Sequence, residues 1–213
     1  MRLTKPDQDY LSEQCKLLGI RKSVCADVTK YLQCLAAWNA VHNLTAVRQV
    51  RDQIEALVVP SLLMHPALKD YRCCLDLGSG SGVPGVILAL LQPQQDWILV
   101  EKSPKKCSFL RAVKRQLSLD NVQVKQLSFQ QLPFIPQVDA IVSRGSGQLP
   151  AQLALTQSWR QHGVVLCSVQ TAKSLEKNPC PVDFTQVELC STVKSTDGEV
   201  SPVGALKMLI INS

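Results

Sequence analysis

A segment of one acid and four glycines between two apolar runs constrains the fold of this chain more than any other feature. The segment is Asp76-Leu77-Gly78-Ser79-Gly80-Ser81-Gly82-Val83-Pro84-Gly85, with apolar residues at 73–75 and 86–91 on either side. Glycines let the backbone turn sharply and approach a ligand without an intervening Cβ. Pro84 is compatible with the first turn of a helix. The pattern predicts a buried strand at 73–77, a ligand-binding loop and a helix at 84–92.

A second apolar run, 97–100, ends at Glu101. In parallel α/β sheets, an acid about 20 residues beyond the glycine loop lies at the end of the neighbouring strand and accepts hydrogen bonds from ribose hydroxyls. The alternative is that Glu101 is a solvated charge at the beginning of a helix. On these residues alone, the loop fits either NAD or S-adenosylmethionine.

The composition restricts the class of protein. A chain of 213 residues with a net charge of +6 is long enough for one substantial domain with a small extension, and its charge favours an anionic partner. The nine cysteines are odd in number and contain no C-x-x-C pair, which argues against a metal or disulfide framework and for a cytoplasmic protein. The sequence has neither a signal-like beginning nor a run of about 20 apolar residues, so we expect no membrane partner.

The hydrophobic rhythm changes once along the chain. Residues 8–60 are predicted to be helical, because apolar residues recur at spacings of three and four. From Cys73 onward the predicted strands are 73–77, 97–101, 122–124, 138–143 and 164–169, and the helices between them are 84–92, 104–117 and 148–160. The runs 184–193 and 205–212 are expected to close the sheet as an antiparallel pair. We therefore predict a helical extension, residues 1–70, packed on an α/β domain, residues 71–213.

Four fragments in this order resemble the RsmG (GidB) methyltransferases. The fragments are Trp38-Asn39 with Asn43-Leu44-Thr45-Ala46 and Arg48, the glycine segment with its Pro84-Gly85 ending, Lys105-Lys106 through Phe109-Leu110-Arg111, and Val142-Ser143-Arg144. The resemblance covers nearly the whole chain. It implies a class I (Rossmann-like) S-adenosylmethionine-dependent methyltransferase fold with a helical N-terminal extension. It also implies methyl transfer to guanine N7 in bacterial 16S ribosomal RNA. Since nothing in the sequence indicates an obligate dimer, we expect a monomer.

The resemblance also implies where the cofactor lies. Gly78 and Val83 are expected on the cofactor, and Phe129 with Gln130 beside its adenine. Asp76 either holds the amino group of the cofactor or braces the glycine turn. With the residues inferred from the loop itself, the expected S-adenosyl-L-methionine contacts are Asp76, Gly78, Gly80, Gly82, Val83, Glu101, Phe129, Gln130 and Arg144.

Arg144 follows the predicted strand 138–143 and precedes Gly145-Ser146-Gly147. Open α/β sheets build their sites at this end of the strands, and a guanidinium can grip either guanine O6 or the cofactor carboxylate through paired donors. Guanine N7 already carries an in-plane lone pair, so its methylation needs neither a general base nor a metal. The family resemblance makes Arg144 the expected catalytic residue, which would act by positioning. The alternative is a surface arginine near a turn.

The segment 102–119 holds six basic residues and no acid. Helical spacing predicts that its apolar residues point inward and that its charges share another face. This face is either simply solvated or a surface for RNA phosphates. The expected partner is 16S rRNA, naked or within a small-subunit assembly particle, and the expected RNA-binding residues are Arg48, Lys105, Lys106, Arg111, Lys114 and Arg115.

Several positions depart from the family pattern. Leu57 and Pro60 stand where the family usually carries His and Asp, Gln130 replaces an acid, and Val169 lies in a segment that usually contains a basic residue. These departures leave two alternatives open. One is a class I methyltransferase with another substrate, and the other is a catalytically weakened RNA-binding factor of the same fold.

Overall fold

The computed structural model describes residues 3–145, 147–177, 179–189 and 206–212. In these residues the strands are β1 (Cys73–Leu77), β2 (Asp96–Val100), β3 (Val122–Lys125), β4 (Ala140–Arg144), β5 (Val165–Thr171), β6 (Thr185–Leu189) and β7 (Leu206–Ile211). They form one sheet in the order β3-β2-β1-β4-β5-β7-β6. Strands β1 to β5 are parallel, and β7 runs antiparallel to both of its neighbours.

The α-helices of the described residues are α1 (Lys5–Leu17), α2 (Lys22–His42), α3 (Val50–Gln53), α4 (Val59–Leu68), α5 (Gly85–Leu91), α6 (Pro104–Gln116), α7 (Leu149–Arg160) and α8 (Ala172–Lys177). A π-helical turn, Ile54–Val58, joins α3 to α4, and a short 3-10 helix spans Phe129–Gln131. None of the helices in this part of the chain is both long and apolar enough to cross a bilayer.

Alternate residues of the parallel strands enter different apolar clusters. On one face, Cys74 and Leu99 pack with residues of the N-terminal helices such as Leu35. On the other face, Leu75 and Ile98 pack with residues from α7 and from the end of the sheet. The sheet is thus buried on both faces, as parallel sheets are, and α1 to α4 supply much of one cover. The predicted division of the chain near residue 70 stays a prediction.

The predicted strand–helix alternation after Cys73 is confirmed. Strand β1 has the predicted bounds, and β2, β4 and β5 begin and end within two residues of the predictions. The closing pair is antiparallel as predicted, although 190–193 and 205 lie outside the described residues. The 3-10 helix and α8 were not predicted.

The end of the N-terminal helices was wrongly predicted. The helical prediction for residues 8–60 ends too early, because the helical segment that begins at Val50 continues through Leu68 with Pro66 inside it. Leu62 and Leu68 are buried against the sheet. We attribute the continuation to this burial, which outweighs the hydrogen bond that Pro66 removes.

Candidate active site

The glycine loop folds over the end of β2 and leaves one side open. The N–H groups of Gly78 and Ser79 both donate to the Val100 carbonyl, at 2.9 and 3.0 Å. Gly80 has φ of +55°, and a Cβ built there would meet only the Gly78 carbonyl oxygen at 3.7 Å and Lys106 Nζ at 4.0 Å. Gly78 is exposed. The loop therefore offers backbone, without side chains, to a ligand at the carboxyl ends of β1 and β2.

The later glycines of the segment serve packing. A Cβ at Gly82 would lie 2.7 Å from Val86 Cγ2, and one at Gly85 would lie 2.6 Å from Asp76 Oδ2 and also collide with Leu99. These glycines let α5 lie close to its neighbours. The predicted cofactor contact of Gly82 stays a prediction.

Asp76 is buried beneath the loop, with 1% of its surface exposed. Its Oδ2 accepts a hydrogen bond from the Gly85 N–H at 3.1 Å, at the start of α5. Burial raises the pKa of Asp76 to about 7, against the opposing effects of that hydrogen bond and of the Arg144 charge. Asp76 therefore braces the junction of loop and helix, and a contact with the cofactor's amino group stays a prediction.

Glu101 is the second acid of the site, and it is not a solvated charge, since it is only 7% exposed. Its Oε2 accepts from the Gly80 N–H at 3.0 Å, and its Oε1 accepts from the Ser103 N–H at 2.8 Å. Glu101 thus ties the glycine loop to the start of α6, where the Ser103 side chain makes no capping bond. Each carboxylate oxygen can accept more than one hydrogen bond, so a ribose contact stays a prediction.

Tyr31 of α2 also holds the loop, and sequence reasoning missed this role. Its hydroxyl is fully buried and donates to the Ser81 carbonyl at 2.7 Å. Burial raises the pKa of Tyr31, so the hydroxyl keeps its proton at neutral pH. A tyrosine at an otherwise apolar helix position was the available signal, because a buried Tyr hydroxyl needs a partner.

The N-terminal signature forms the turn after α2. Asn39 Oδ1 accepts from the Thr45 N–H at 2.9 Å, and Asn43 adopts φ of +49° at the helix end. Arg48 donates through Nη2 to Asn43 Oδ1 at 2.7 Å. Arg48 is exposed, but its guanidinium already serves this turn, and its expected RNA contact stays a prediction.

Arg144 ends β4 beside the glycine loop, because Ser143 pairs in register with Leu77. Its guanidinium turns toward the N-terminal helices and donates through Nη1 to the Leu57 carbonyl at 3.1 Å and through Nη2 to the Ala56 carbonyl. Burial lowers the pKa of Arg144, and Tyr31 and Asp76 oppose that effect. The expected contact of Arg144 with cofactor or guanine is untested by this geometry, and Ser146 of the following loop lies outside the described residues.

The expected adenine-flanking pair divides between core and surface. Phe129 is 6% exposed and contacts the Trp159 ring with centroids 5.4 Å apart. Gln130 is exposed, and Val83 is buried beside the loop. Their contacts with the cofactor stay predictions.

A buried, uncharged network occupies β5 near Val169, where the family pattern has a basic residue. Ser168 Oγ donates to Gln152 Oε1 at 2.7 Å, and Gln170 Nε2 donates to Ser168 Oγ at 2.9 Å. Gln152 Nε2 in turn donates to the Gly147 carbonyl at 3.0 Å. The network thus anchors the loop that follows Arg144, and sequence reasoning had no local signal for it.

Helix α6 buries its apolar side and exposes cations. Lys105, Arg111 and Arg115 are exposed, and Lys106 is half-buried beside the glycine loop. Arg111 Nη1 donates to the side-chain Oε1 of Gln126 at 3.1 Å. Lys114 is half-buried, and its Nζ donates to the main-chain carbonyl of Val122 at 2.5 Å. The ion pairs Lys5–Asp9 and Lys30–Asp27 involve none of these cations, and no carboxylate described here forms a salt bridge with them. We call Lys105, Arg111 and Arg115 the α6 stripe.

Comparison with known proteins identifies the family. The model for the GidB family, described as rRNA small subunit methyltransferase G, matches residues 24–199. The chain belongs to this family. A GidB relative from Dichelobacter nodosus is 38% identical over 64% of this chain, and the match spans 65% of that protein's own length. Another from Nitrosomonas europaea is 32% identical over 74% of this chain and 73% of its own. Both carry the name ribosomal RNA small subunit methyltransferase G.

The solved structures show the fold of this GidB member. An O-methyltransferase from Bacillus cereus, crystallised with SAH, aligns with a TM-score of 0.56 over 86% of this chain and 91% of its own, at 18% identity. This likeness, together with the strand order, confirms the predicted class I methyltransferase fold.

Proposed function

We propose that this chain transfers the methyl group of S-adenosylmethionine to N7 of a guanine in bacterial 16S rRNA. Membership of the GidB family carries the proposal. Two relatives that match over 74% and 70% of this chain bear the name ribosomal RNA small subunit methyltransferase G. The proposal includes action as a cytoplasmic monomer, on 16S rRNA or on a small-subunit assembly particle.

The glycine loop fits the cofactor. A Cβ at Gly80 would meet no close neighbour, and Gly78 is exposed. The buried Glu101 carboxylate accepts a hydrogen bond from the Gly80 N–H. In the proposal, these three residues hold the ribose and methionine portions, and Phe129 and Gln130 flank the adenine. The bound cofactor supplies an activated methyl group on its sulfonium.

The remaining chemistry is positioning. Guanine N7 needs no deprotonation before it attacks a methyl group, so the protein must orient the base, exclude water and hold the two reactants in line. Good alignment of two reactants lowers a barrier by roughly 7 kcal/mol or more. Arg144, beside the loop at the end of β4, keeps its positive charge at neutral pH. In the proposal it donates to guanine O6 or to the cofactor carboxylate.

The α6 stripe supports an RNA substrate. Exposed cations that lack carboxylate partners attract phosphates and release counterions on binding. Aromatic residues are only 5% of the chain, so charge and shape rather than base stacking would supply most of the affinity.

Nucleoside mass spectrometry of 16S rRNA from cells with and without this protein tests the proposal. We expect N7-methylguanine to disappear in the deletion strain and to return with the wild-type gene, but not with a Gly80→Val variant. Purified protein with naked 16S rRNA and with 30S particles then identifies the substrate form. An unchanged N7-methylguanine content contradicts the proposal. In that case, retained cofactor affinity would indicate another substrate, and RNA binding without cofactor affinity would indicate the RNA-binding factor.

A further inference from the structure

The Arg144 guanidinium is held by main-chain carbonyls from a distant segment. Both terminal nitrogens donate to consecutive residues, Ala56 and Leu57, which lie 88 and 87 residues earlier in the chain. The acceptors belong to the π-helical turn Ile54–Val58. Arg144 forms no ion pair with the described residues. The dipoles of the two carbonyl groups therefore restrain the guanidinium without adding a negative charge beside it.

Pro60 accounts for the availability of one of these carbonyls. In an α-helix the N–H of residue 60 donates to the carbonyl of residue 56, but proline has no N–H. The preceding turn is widened, because the Val59 N–H donates to the Ile54 carbonyl five residues back. Pro60 is buried, and it leaves the Ala56 carbonyl open to a donor from outside the helix.

The Leu57 carbonyl completes the arrangement. It accepts the Ser61 hydroxyl at 2.7 Å as well as Arg144 Nη1. Ser61 is fully buried, so this carbonyl faces protein rather than water. Turns of the π type are rare and occur often at functional sites. The two adjacent carbonyls each accept from one of the two terminal nitrogens of the guanidinium.

We propose that Pro60 is a positioning residue, which opens a two-carbonyl seat in the π-helical turn and so fixes Arg144 beside the glycine loop with its charge available to a ligand. The inference rests on the proposed function for its kinetic consequence, but not for the seat itself. The main-chain seat gives the cation no carboxylate hydrogen-bond partner, and the buried Asp76 acts on it only through its charge. The guanidinium can therefore still attract a ligand carboxylate or the O6 of guanine.

Pro60→Ala tests the seat, and Pro66→Ala is its matched control. Both variants restore one N–H in the same helix, but Pro66 is exposed and near the end of α4. In Pro60→Ala the proline ring no longer crowds the Ala56 carbonyl, and the new N–H can draw that carbonyl toward the helix axis and away from Arg144. We expect kcat/KM for rRNA methylation to fall about tenfold, as for loss of a hydrogen bond from a charged group, with no loss of Tm. Pro66→Ala should stay within about twofold of wild type.

A double-mutant cycle separates positioning from a general structural effect. If Pro60 acts through Arg144, Pro60→Ala adds nothing in an Arg144→Lys background. Equal losses in both backgrounds would overturn the inference.

Nitrogen-15 NMR of the arginine side chains supplies a readout without turnover. The full-length wild type should show Arg144 Nη–Hη signals that are slowed by its two carbonyl partners, assigned by their absence in Arg144→Lys. These signals should collapse in Pro60→Ala and persist in Pro66→Ala. Unchanged signals in Pro60→Ala would overturn the seat. The two proposals can fail separately. If the wild-type protein shows the expected NMR pattern but does not methylate rRNA, the seat is supported and the proposed function is contradicted.

Discussion

Asp76 makes the stability of the protein depend on pH. Its pKa is raised to about 7 in the folded state by burial, against about 3.9 in an unfolded chain. Its favourable contribution to folding is therefore complete below pH 4 and is lost as the pH rises through 7. Relative to Asp76→Asn, wild type should lose up to about 4 kcal/mol of unfolding free energy between pH 4 and 8. Urea unfolding of both proteins across this range measures the difference, and parallel curves would contradict it.

Alanine at two glycines of the segment should affect S-adenosylmethionine binding differently, although both substitutions should destabilise the protein. Gly80→Ala places its Cβ on the open side, so it should cost about 1–2 kcal/mol of stability through its left-handed backbone and weaken S-adenosylmethionine binding. Gly85→Ala pushes its Cβ against Asp76 and Leu99, and such overpacking typically costs about 1–3 kcal/mol. Calorimetry and thermal unfolding of both variants test the contrast. Lost affinity in a folded Gly85→Ala protein, with unchanged affinity in Gly80→Ala, would reverse our assignment of the open face.

At the scale of the element, α6 carries two kinds of cation: the exposed α6 stripe and the half-buried Lys114. Replacing Lys105, Arg111 and Arg115 by Gln should flatten the log–log salt dependence of RNA binding by about 2, since each phosphate contact contributes roughly 0.7–0.9 to the slope. Fluorescence anisotropy with a 16S rRNA fragment from 50 to 200 mM salt measures it. Cofactor affinity should stay at its wild-type value.

Lys114→Gln is the control on the same helix. Because Lys114 donates to the Val122 carbonyl, its loss should lower Tm and leave the salt slope nearly unchanged. If the triple variant keeps the wild-type salt dependence of RNA binding, the α6 stripe is a solvent-exposed face that does not contact RNA. The amphipathic spacing of α6 was readable from its sequence, whereas the separate role of Lys114 depends on where β3 lies.

At the scale of the whole molecule, the sheet could be predicted from the sequence, but the long-range hydrogen bonds that hold the site could not. Strand β1, the glycine loop and the acid after β2 are local patterns, and they appear where the sequence indicated. The bonds that hold the site join Tyr31 to Ser81, 50 residues apart, and Arg144 to Leu57, 87 residues apart. The acceptors of these hydrogen bonds are main-chain carbonyls, which every residue possesses, so no sequence motif predicts the bonds. Pro60, a departure from the family pattern, gains an explanation only from that geometry.

The Tyr31–Ser81 bond makes α2 a distant reporter of cofactor occupancy. A ligand that orders the glycine loop also restrains the hydroxyl bound to it, and through that hydroxyl the middle of a 21-residue helix. Addition of S-adenosylmethionine should slow amide hydrogen exchange in the centre of α2 as well as in the loop, because local opening of the helix becomes less frequent. In Tyr31→Phe, the loop should still gain protection and α2 should not. Equal protection of α2 in both proteins, measured by exchange mass spectrometry, would show that the helix responds through its apolar packing instead.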